Sequence, residues 1–187
     1  MAKGGVPVAR KEWMRWWIVV LIGCCLVQPA TGGEPKAQAG RQPLGPDLAL
    51  RLDPADRCPV CAMTVRKYAK FAAAIQLVDG TTYYFCATGC MIKSWLHPEI
   101  YLGCDKKDLA RPVVQEYLTG RPMDARDVIW VAGSDVIGPM GPYLTPLAEA
   151  NVETFMKRHG GQRTFRLAEM DDALWEAITR KPAKPAP

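Results

Sequence analysis

Two closely spaced cysteine pairs, with a hairpin-length segment between them, constrain this chain more than any other feature. Cys58 and Cys61 flank a Pro-Val turn, and Cys86 and Cys90 flank Ala-Thr-Gly. The segment between the pairs contains two runs of β-branched and aromatic residues joined by Asp79-Gly80, a dipeptide typical of tight hairpin turns. Such a hairpin returns the second pair to the first. The spacing therefore predicts that four thiols meet at one point.

A helix is predicted directly after the second pair, because Ile92, Trp95 and Leu96 recur at helical spacing before His97-Pro98. Cys90 falls in its first turn, where the helix N-terminus is expected to lower the pKa of the thiol and favour the thiolate. His97 is interpreted as a residue that ends the helix rather than as a ligand.

Four clustered thiols indicate a soft-metal site. Thiolates joined by a thioether, which Met63 could add next to the first pair, favour copper(I), and four thiolates alone also suit zinc. Two disulfides in an oxidising compartment are an alternative. Thiol–disulfide exchange at Cys58 and Cys61 is another, but it requires a thioredoxin-like βαβ context that the pattern does not show. Cys104 is interpreted as a buried structural residue.

The N-terminus reads as an export and lipidation signal. Residues 1–23 join a basic segment to an apolar run too short to span a bilayer comfortably, and Leu21-Ile-Gly-Cys24 resembles the bacterial lipobox. Cleavage before Cys24 would anchor an extracytoplasmic lipoprotein. Cys25 fits the cleavage pattern less well. Residues 24–50 are expected to be a flexible tether and residues 181–187 a disordered tail, since both are rich in proline.

The charge pattern argues against nucleic-acid binding. The chain has a formal net charge of +5. The segment before Cys24 carries four basic residues and one acidic residue, so only +2 is left for the rest of the chain, where both signs are mixed.

The second half is predicted to alternate strands and helices. Residues 109–118 are left as a helix or an irregular connection, 127–132 and 163–167 as strands, and 145–158 and 171–179 as helices. Met140 lies in a constrained Gly-Pro-Met-Gly-Pro loop. His159 ends a helix, where it either complements the helix dipole or binds the metal. We therefore predict an α+β fold of two small similar lobes, at about 55–103 and 125–180, within a metal-binding domain at 51–180.

Two motifs resemble a known family. The stretch Cys58-Pro-Val-Cys-Ala-Met63-Thr-Val is similar to the Cys-x-x-Cys-Gly-Met opening of the nitrous-oxide reductase accessory proteins, the NosL family, with Ala62 in place of the usual glycine. The first half also resembles the metal-associated YHS and TRASH domains. Residues 130–146, together with His159-Gly-Gly, are similar to the C-terminal half of NosL alone.

This resemblance implies a two-lobe fold related in shape to an organomercurial lyase, and a copper(I) chaperone rather than an enzyme. It implies delivery of copper to nitrous-oxide reductase and its copper-site maturation machinery from the periplasmic side of a bacterial membrane. It also places Met140 and His159 with the cysteines as ligands. The sequence is compatible with pairing into a homodimer. The rival readings are a structural four-cysteine zinc module and organomercurial cleavage, which requires an acid beside the thiols.

Overall fold

The computed structural model describes residues 43–179, which form an α+β fold with two antiparallel sheets. The predicted signal segment, Cys24 and the tail at 181–187 lie outside the described residues. The end of the predicted tether lies within them, and there Leu44 is buried against the core. The packed part of the chain therefore extends back to Leu44.

The first sheet contains four strands in the order β2-β1-β3-β4: β1 (Ala73–Leu77), β2 (Thr82–Phe85), β3 (Leu109–Gln115) and β4 (Pro122–Asp124). The predicted hairpin is confirmed, since β1 and β2 pair in antiparallel register with Ile75 opposite Tyr83. At the turn, Gly80 takes a left-handed φ of 86°. The carboxylate of Asp79 accepts the Thr81 N–H at 2.8 Å, which fixes the turn.

The predicted helix after the second cysteine pair is α1 (Thr88–Leu96), with Cys90 in its first turn. Met91, Ile92 and Leu96 are buried, and the helix contacts β1, β2 and β3. It ends as predicted at His97, whose N–H is bonded to the Lys93 carbonyl at 2.9 Å. Pro98 then begins the short helix α2 (Pro98–Tyr101). The first half is therefore a knuckle, a hairpin and a helix.

The prediction of a helix or irregular connection at 109–118 is wrong, because this segment supplies β3. Val113 and Val114 are fully buried in the sheet, where β-branched side chains pack well. Pro112 lies opposite Ile75 and its carbonyl accepts the Ala125 N–H at 2.8 Å. The pairing of β1 with β3 has a register irregularity between Gln76 and Leu77, before Pro112 along β3.

The second sheet has the order β8-β5-β9, formed by β5 (Ile129–Ala132), β8 (Thr145–Leu147) and β9 (Arg163–Phe165). A separate two-stranded hairpin joins β6 (Ile137–Gly138) to β7 (Gly141–Pro142). Strands are confirmed within the predicted ranges 127–132 and 163–167, but they occupy only Ile129–Ala132 and Arg163–Phe165. The helix predicted from residue 145 is wrong in its first half, because 145–147 pair with β5 before α3 (Val152–His159) begins. The last helix is α4 (Asp172–Thr179), as predicted.

Four 3-10 segments complete the described chain: Val65–Phe71, Lys106–Asp108, Glu149–Asn151 and Leu167–Glu169. No helix among residues 43–179 is long and apolar enough to cross a bilayer.

The two sheets share one core. The larger apolar cluster contains Phe85 from the first sheet together with Trp130 and Phe165 from the second. A smaller cluster packs Phe155 of α3 against Val131 of β5. Each half thus combines an antiparallel sheet with a helix, and burial of shared apolar surface holds the halves together.

Candidate metal centre

The first cysteine pair lies on a short knuckle held by its own backbone. The Cys58 N–H is bonded to the Met63 carbonyl at 3.0 Å, and the Ala62 N–H to the Cys58 carbonyl at 2.8 Å. Ala62 has a φ of 59°, in the left-handed region that favours glycine. This is the position at which the resemblance noted above expects glycine, so the backbone keeps the glycine conformation although the residue has changed.

The hairpin and α1 bring the second pair to the knuckle, as predicted. Cys86 directly follows β2, and Cys90 lies one turn later in α1. The sulfur atoms of Cys58, Cys61, Cys86 and Cys90 all lie within 4.8 Å of one another. The Cys61 and Cys86 sulfurs are 3.4 Å apart, and those of Cys86 and Cys90 are 3.9 Å apart. We call these four residues the sulfur cluster.

The sulfur cluster is suited in geometry and chemistry to a soft ion. Four sulfurs bound to one tetrahedral ion at about 2.3 Å lie about 3.8 Å from one another. The separations of 3.4 and 3.9 Å are close to that value, and every pair lies within 4.8 Å, so small side-chain movements would seat such an ion. All five cysteines of residues 43–179 are free thiols. Cys58, Cys86 and Cys90 are buried, whereas Cys61 is partly exposed, so the cluster is enclosed on most sides.

The pKa values of Cys58, Cys86 and Cys90 differ because their sulfurs hydrogen-bond to one another. The pKa of Cys58 is lowered because the sulfurs of Cys86 and Cys90 hydrogen-bond to it. The same contacts with Cys58, together with burial, raise the pKa values of Cys86 and Cys90. The expectation of a lowered pKa at Cys90 is therefore wrong. Proximity to a neighbouring thiolate outweighs the helix N-terminus, because like charges in a buried site cannot all form.

The two predicted thioethers belong to different parts of the fold. Met63 is partly buried and packs against the core next to the knuckle. Met140 is at the β6–β7 turn, 51% exposed, and lines a cavity of about 450 Å³ that Cys90 also lines. The tertiary fold therefore brings Met140 and Cys90 to one cavity from opposite halves of the chain.

His159 lies elsewhere and is outside the group of clustered ligand atoms. Its ring stacks on Phe155, and its Nδ1 is 2.9 Å from the Asp135 carboxylate. At the end of α3 it also occupies the position where a cation complements the helix dipole. These contacts support a role for His159 in stabilising the end of α3, and His159 is not grouped with the cysteines.

His97 and Cys104 both lie outside the sulfur cluster. His97 is 2.7 Å from the Asp172 carboxylate, which ties the end of α1 to α4. Cys104 is partly buried beside acidic residues, with a raised pKa caused first by burial, and is not part of the sulfur cluster.

Sequence reasoning missed Lys93 and Trp175, which line the cavity with Cys90 and Met140. Lys93 is three residues after Cys90, so helical periodicity could have placed both on one face. Nothing in the sequence linked Trp175 with the cysteines, because α4 reaches the cavity only through tertiary packing.

Comparisons with known proteins identify the family of this chain. A family model described as NosL matches residues 49–175. The "Copper-binding lipoprotein NosL" of Stutzerimonas stutzeri is 32% identical over 124 residues. That alignment covers 64% of this chain and 64% of the relative, so it leaves about a third of the relative unmatched.

A solved structure, the copper chaperone NosL from Shewanella denitrificans, superposes with a TM-score of 0.56. It is 22% identical, and the match covers 69% of this chain and 99% of that one. This likeness supports the α+β architecture. Because the family model spans more than half of the chain, including both cysteine pairs and Met140, the chain belongs to the NosL family.

Proposed function

We propose that this protein is a membrane-tethered, extracytoplasmic copper(I) chaperone that supplies copper for maturation of nitrous-oxide reductase. The observation that carries the proposal is the sulfur cluster, in which Cys90 lines a cavity that Met140 also lines. Thiolate and thioether ligands prefer copper(I) to hard ions. The names of the two relatives, a copper-binding lipoprotein and a copper chaperone, support the same cargo.

The uneven burial of the cluster suits transfer of the metal rather than permanent retention. Cys58 and Cys86 form its buried side, whereas Cys61 is partly exposed and Cys90 meets the cavity. A receiving protein could bind the ion from the accessible side, and the bonds from the ion to the buried sulfurs would break afterwards. Met63 and Met140 are proposed as supporting ligands. His159 is not included in this proposal, because its Nδ1 lies 2.9 Å from the Asp135 carboxylate and its ring stacks on Phe155.

A competition experiment tests the cargo. The reduced protein is titrated with copper(I) without oxygen, in the presence of a strong chromogenic copper(I) chelator. We expect one tight copper(I) per chain, lost when Cys58 and Cys61 are both replaced by serine. A matched control is Cys104→Ser, which leaves the sulfur cluster intact. Failure of the wild-type protein to take copper(I) from the chelator would reject a chaperone role.

A structural zinc module is the second candidate, because the sulfur spacing and the burial of Cys58, Cys86 and Cys90 also fit a closed zinc site. Zinc loading followed by copper(I) addition separates the two candidates. Displacement of zinc by copper(I), with the fold retained, supports the chaperone. Zinc that copper(I) cannot displace, and whose removal unfolds the domain, supports the structural module.

The membrane tether is proposed from Leu21-Ile-Gly-Cys24, which lies outside the described residues. Cys24→Ala is expected to block lipid attachment and leave unprocessed precursor. Mass spectrometry of the mature N-terminus measures the modification, with Cys25→Ala as the matched control. An unmodified N-terminus beyond residue 24 in the wild type would contradict lipidation.

Delivery to nitrous-oxide reductase is tested in a strain that makes this reductase. Deletion of the gene for this protein is expected to yield copper-deficient reductase, and the wild-type gene is expected to restore its copper content. Restoration by the Cys58/Cys61 double serine variant would show that the sulfur cluster is not used for delivery.

A further inference from the structure

The cavity beside Cys90 has the size and composition of a binding site. At about 450 Å³ it falls within the range of ligand pockets. Its walls come from the N-terminal end of α1, the β6–β7 hairpin and α4. Most of the lining is apolar or glycine, and Trp175 and Ile178 form the α4 side.

An exposed apolar edge borders this cavity. The β6–β7 hairpin presents Met140, 51% exposed, and Ile137, 66% exposed and adjacent to the lining residue Gly138. Large apolar side chains at the rim of an apolar cavity are typical of surfaces that receive a partner. The same hairpin therefore contributes both a proposed copper ligand and a contact surface.

The part of the cavity lining that the structure describes carries a positive charge and no negative one. Lys93 is the single Lys, Arg, Asp or Glu side chain among the lining residues, and its ammonium lies 5.8 Å from the centre of the Trp175 ring. Within residues 43–179 no carboxylate forms an ion pair with it. A carboxylate brought by a partner would complement this charge and favour encounter.

We propose that this cavity is the docking site for a segment of the copper-exchanging partner, in which a methionine lies next to an acidic residue. The inference rests on the proposed function and adds the surface and the chemistry of the partner. The methionine would reach the ion beside Cys90 and Met140, while the acidic residue pairs with Lys93. Apolar contacts with Ile137 and Trp175 would hold the segment.

The transfer step is a ligand exchange without redox change. The incoming thioether sulfur donates a lone pair to copper(I), and the bond between copper and the Cys90 sulfur breaks. The released thiolate takes a proton from water. Copper remains copper(I) throughout, so no oxidant or reductant is needed.

The test measures the rate of copper(I) transfer from the loaded protein to a blocked peptide, Glu-Met-Gly-Met-Glu, and to its neutral counterpart, Gln-Met-Gly-Met-Gln. Ile137→Glu places a like charge at the rim and is expected to slow transfer to the acidic peptide by about tenfold. Ile100→Glu is the matched control, because Ile100 is 67% exposed on α2 and is not among the cavity residues. We expect its rate to remain within about twofold of wild type.

Two further variants sharpen the test. Lys93→Gln is expected to remove the preference for the acidic peptide. Gly89→Leu adds a helix-compatible apolar side chain toward the cavity, where a Cβ would meet only Trp175, at 3.7 Å, and it is expected to slow transfer to both peptides. Copper(I) affinity is measured for each variant by chelator competition.

Equal rates for Ile137→Glu and Ile100→Glu, with copper(I) bound normally, would overturn the docking site and leave the chaperone role standing. A slower rate that only follows a weaker copper(I) affinity would also overturn it. If sedimentation shows a wild-type dimer that Ile137→Glu dissociates, the surface belongs to a second copy of the chain instead. Absence of copper(I) binding by the wild type would overturn both the chaperone role and this inference.

Discussion

Met140 is the residue whose role is most open to a direct test, because half of its side chain faces solvent. A packing role would bury it, yet it lies at a hairpin turn beside the Cys90 cavity. Met140→Ile is expected to change the free energy of unfolding by less than about 0.5 kcal/mol. Copper(I) affinity is expected to fall about tenfold or more, since isoleucine has no sulfur.

Thermal melting of the apo protein and chelator competition on the same preparation measure both effects. Ile137→Met provides a control, because it adds a thioether on the same hairpin without removing Met140. Unchanged copper(I) affinity in Met140→Ile would falsify its role as a ligand.

Ala62 carries a measurable backbone cost. A left-handed conformation costs an alanine roughly 1–2 kcal/mol, and Ala62 has a φ of 59°. Ala62→Gly removes that cost but makes the unfolded chain more flexible, which offsets about 0.4–1 kcal/mol. The net expectation is a free energy of unfolding higher by about 0.5–1 kcal/mol.

Urea denaturation of the apo protein measures this change. The matched control is Ala55→Gly, because Ala55 is also exposed near the knuckle but does not have a positive φ. There the same substitution is expected to lower the free energy of unfolding. Destabilisation of equal size at both positions would show that the knuckle is not strained.

At the scale of elements, Glu116 joins the end of the first sheet to the segment before α3. Its carboxylate accepts the N–H and hydroxyl of Thr119 at 2.7 and 2.6 Å, and the side-chain amide of Asn151 at 3.1 Å. Glu116→Ala removes the acceptor of these three hydrogen bonds, although water can reach the exposed Thr119 and the partly buried Asn151. We expect the free energy of unfolding to fall by about 1–2 kcal/mol. Glu153→Ala, an exposed position on α3, is expected to change it by less than about 0.5 kcal/mol.

The hydrogen bonds that the Glu116 carboxylate accepts are also expected to weaken in acid. Burial raises the pKa of the Glu116 carboxyl, but the hydrogen bonds from Thr119 and Asn151 outweigh burial and hold the pKa below its usual value. A lowered folded-state pKa gives stability that is present above the unfolded value and lost as the pH falls through the folded one. Wild type and Glu116→Ala should therefore converge in stability toward low pH. If the difference in free energy of unfolding between wild type and Glu116→Ala stays constant from neutral to acidic pH, Glu116 does not act in its charged form.

For the whole molecule, copper loading should release protons. Cys86 and Cys90 have raised pKa values and are protonated at neutral pH, whereas the lowered pKa of Cys58 leaves that sulfur ionised. Binding at Cys58, Cys86 and Cys90 at pH 7 is expected to release about two protons from these three residues, one each from Cys86 and Cys90. The apparent copper(I) affinity should weaken as pH falls. A pH indicator in weakly buffered solution measures the release. Copper binding without proton release would show that Cys86 and Cys90 are not ligands.

The halves of the molecule act as one packed body around this site. Trp130 and Phe165 from the second sheet share a core with Phe85 from the first. Cys90 begins the helix that packs on the first sheet, and Met140 belongs to a hairpin of the second half. Packing of the two halves therefore determines whether the thioether can reach the sulfur cluster.

The sequence alone was sufficient for the features that short-range chemistry controls. The Asp79-Gly80 turn, the α1 stripe and the paired cysteines predicted the hairpin, the helix and the sulfur cluster, because each depends on neighbouring residues. The strand at 109–115 was missed because Pro112 reads locally as a breaker, and only pairing with β1 makes it a strand.

Only the tertiary structure decided how distant segments meet. The union of Met140, Trp175 and Lys93 around the Cys90 cavity depends on packing between residues far apart in the chain, which local propensity does not encode. The same holds for His159, which pairs with Asp135 and packs on Phe155 instead of joining the cysteines. The ionisation of the thiols was also decided there, because the thiolate at Cys58 depends on hydrogen bonds from sulfurs that the fold brings together.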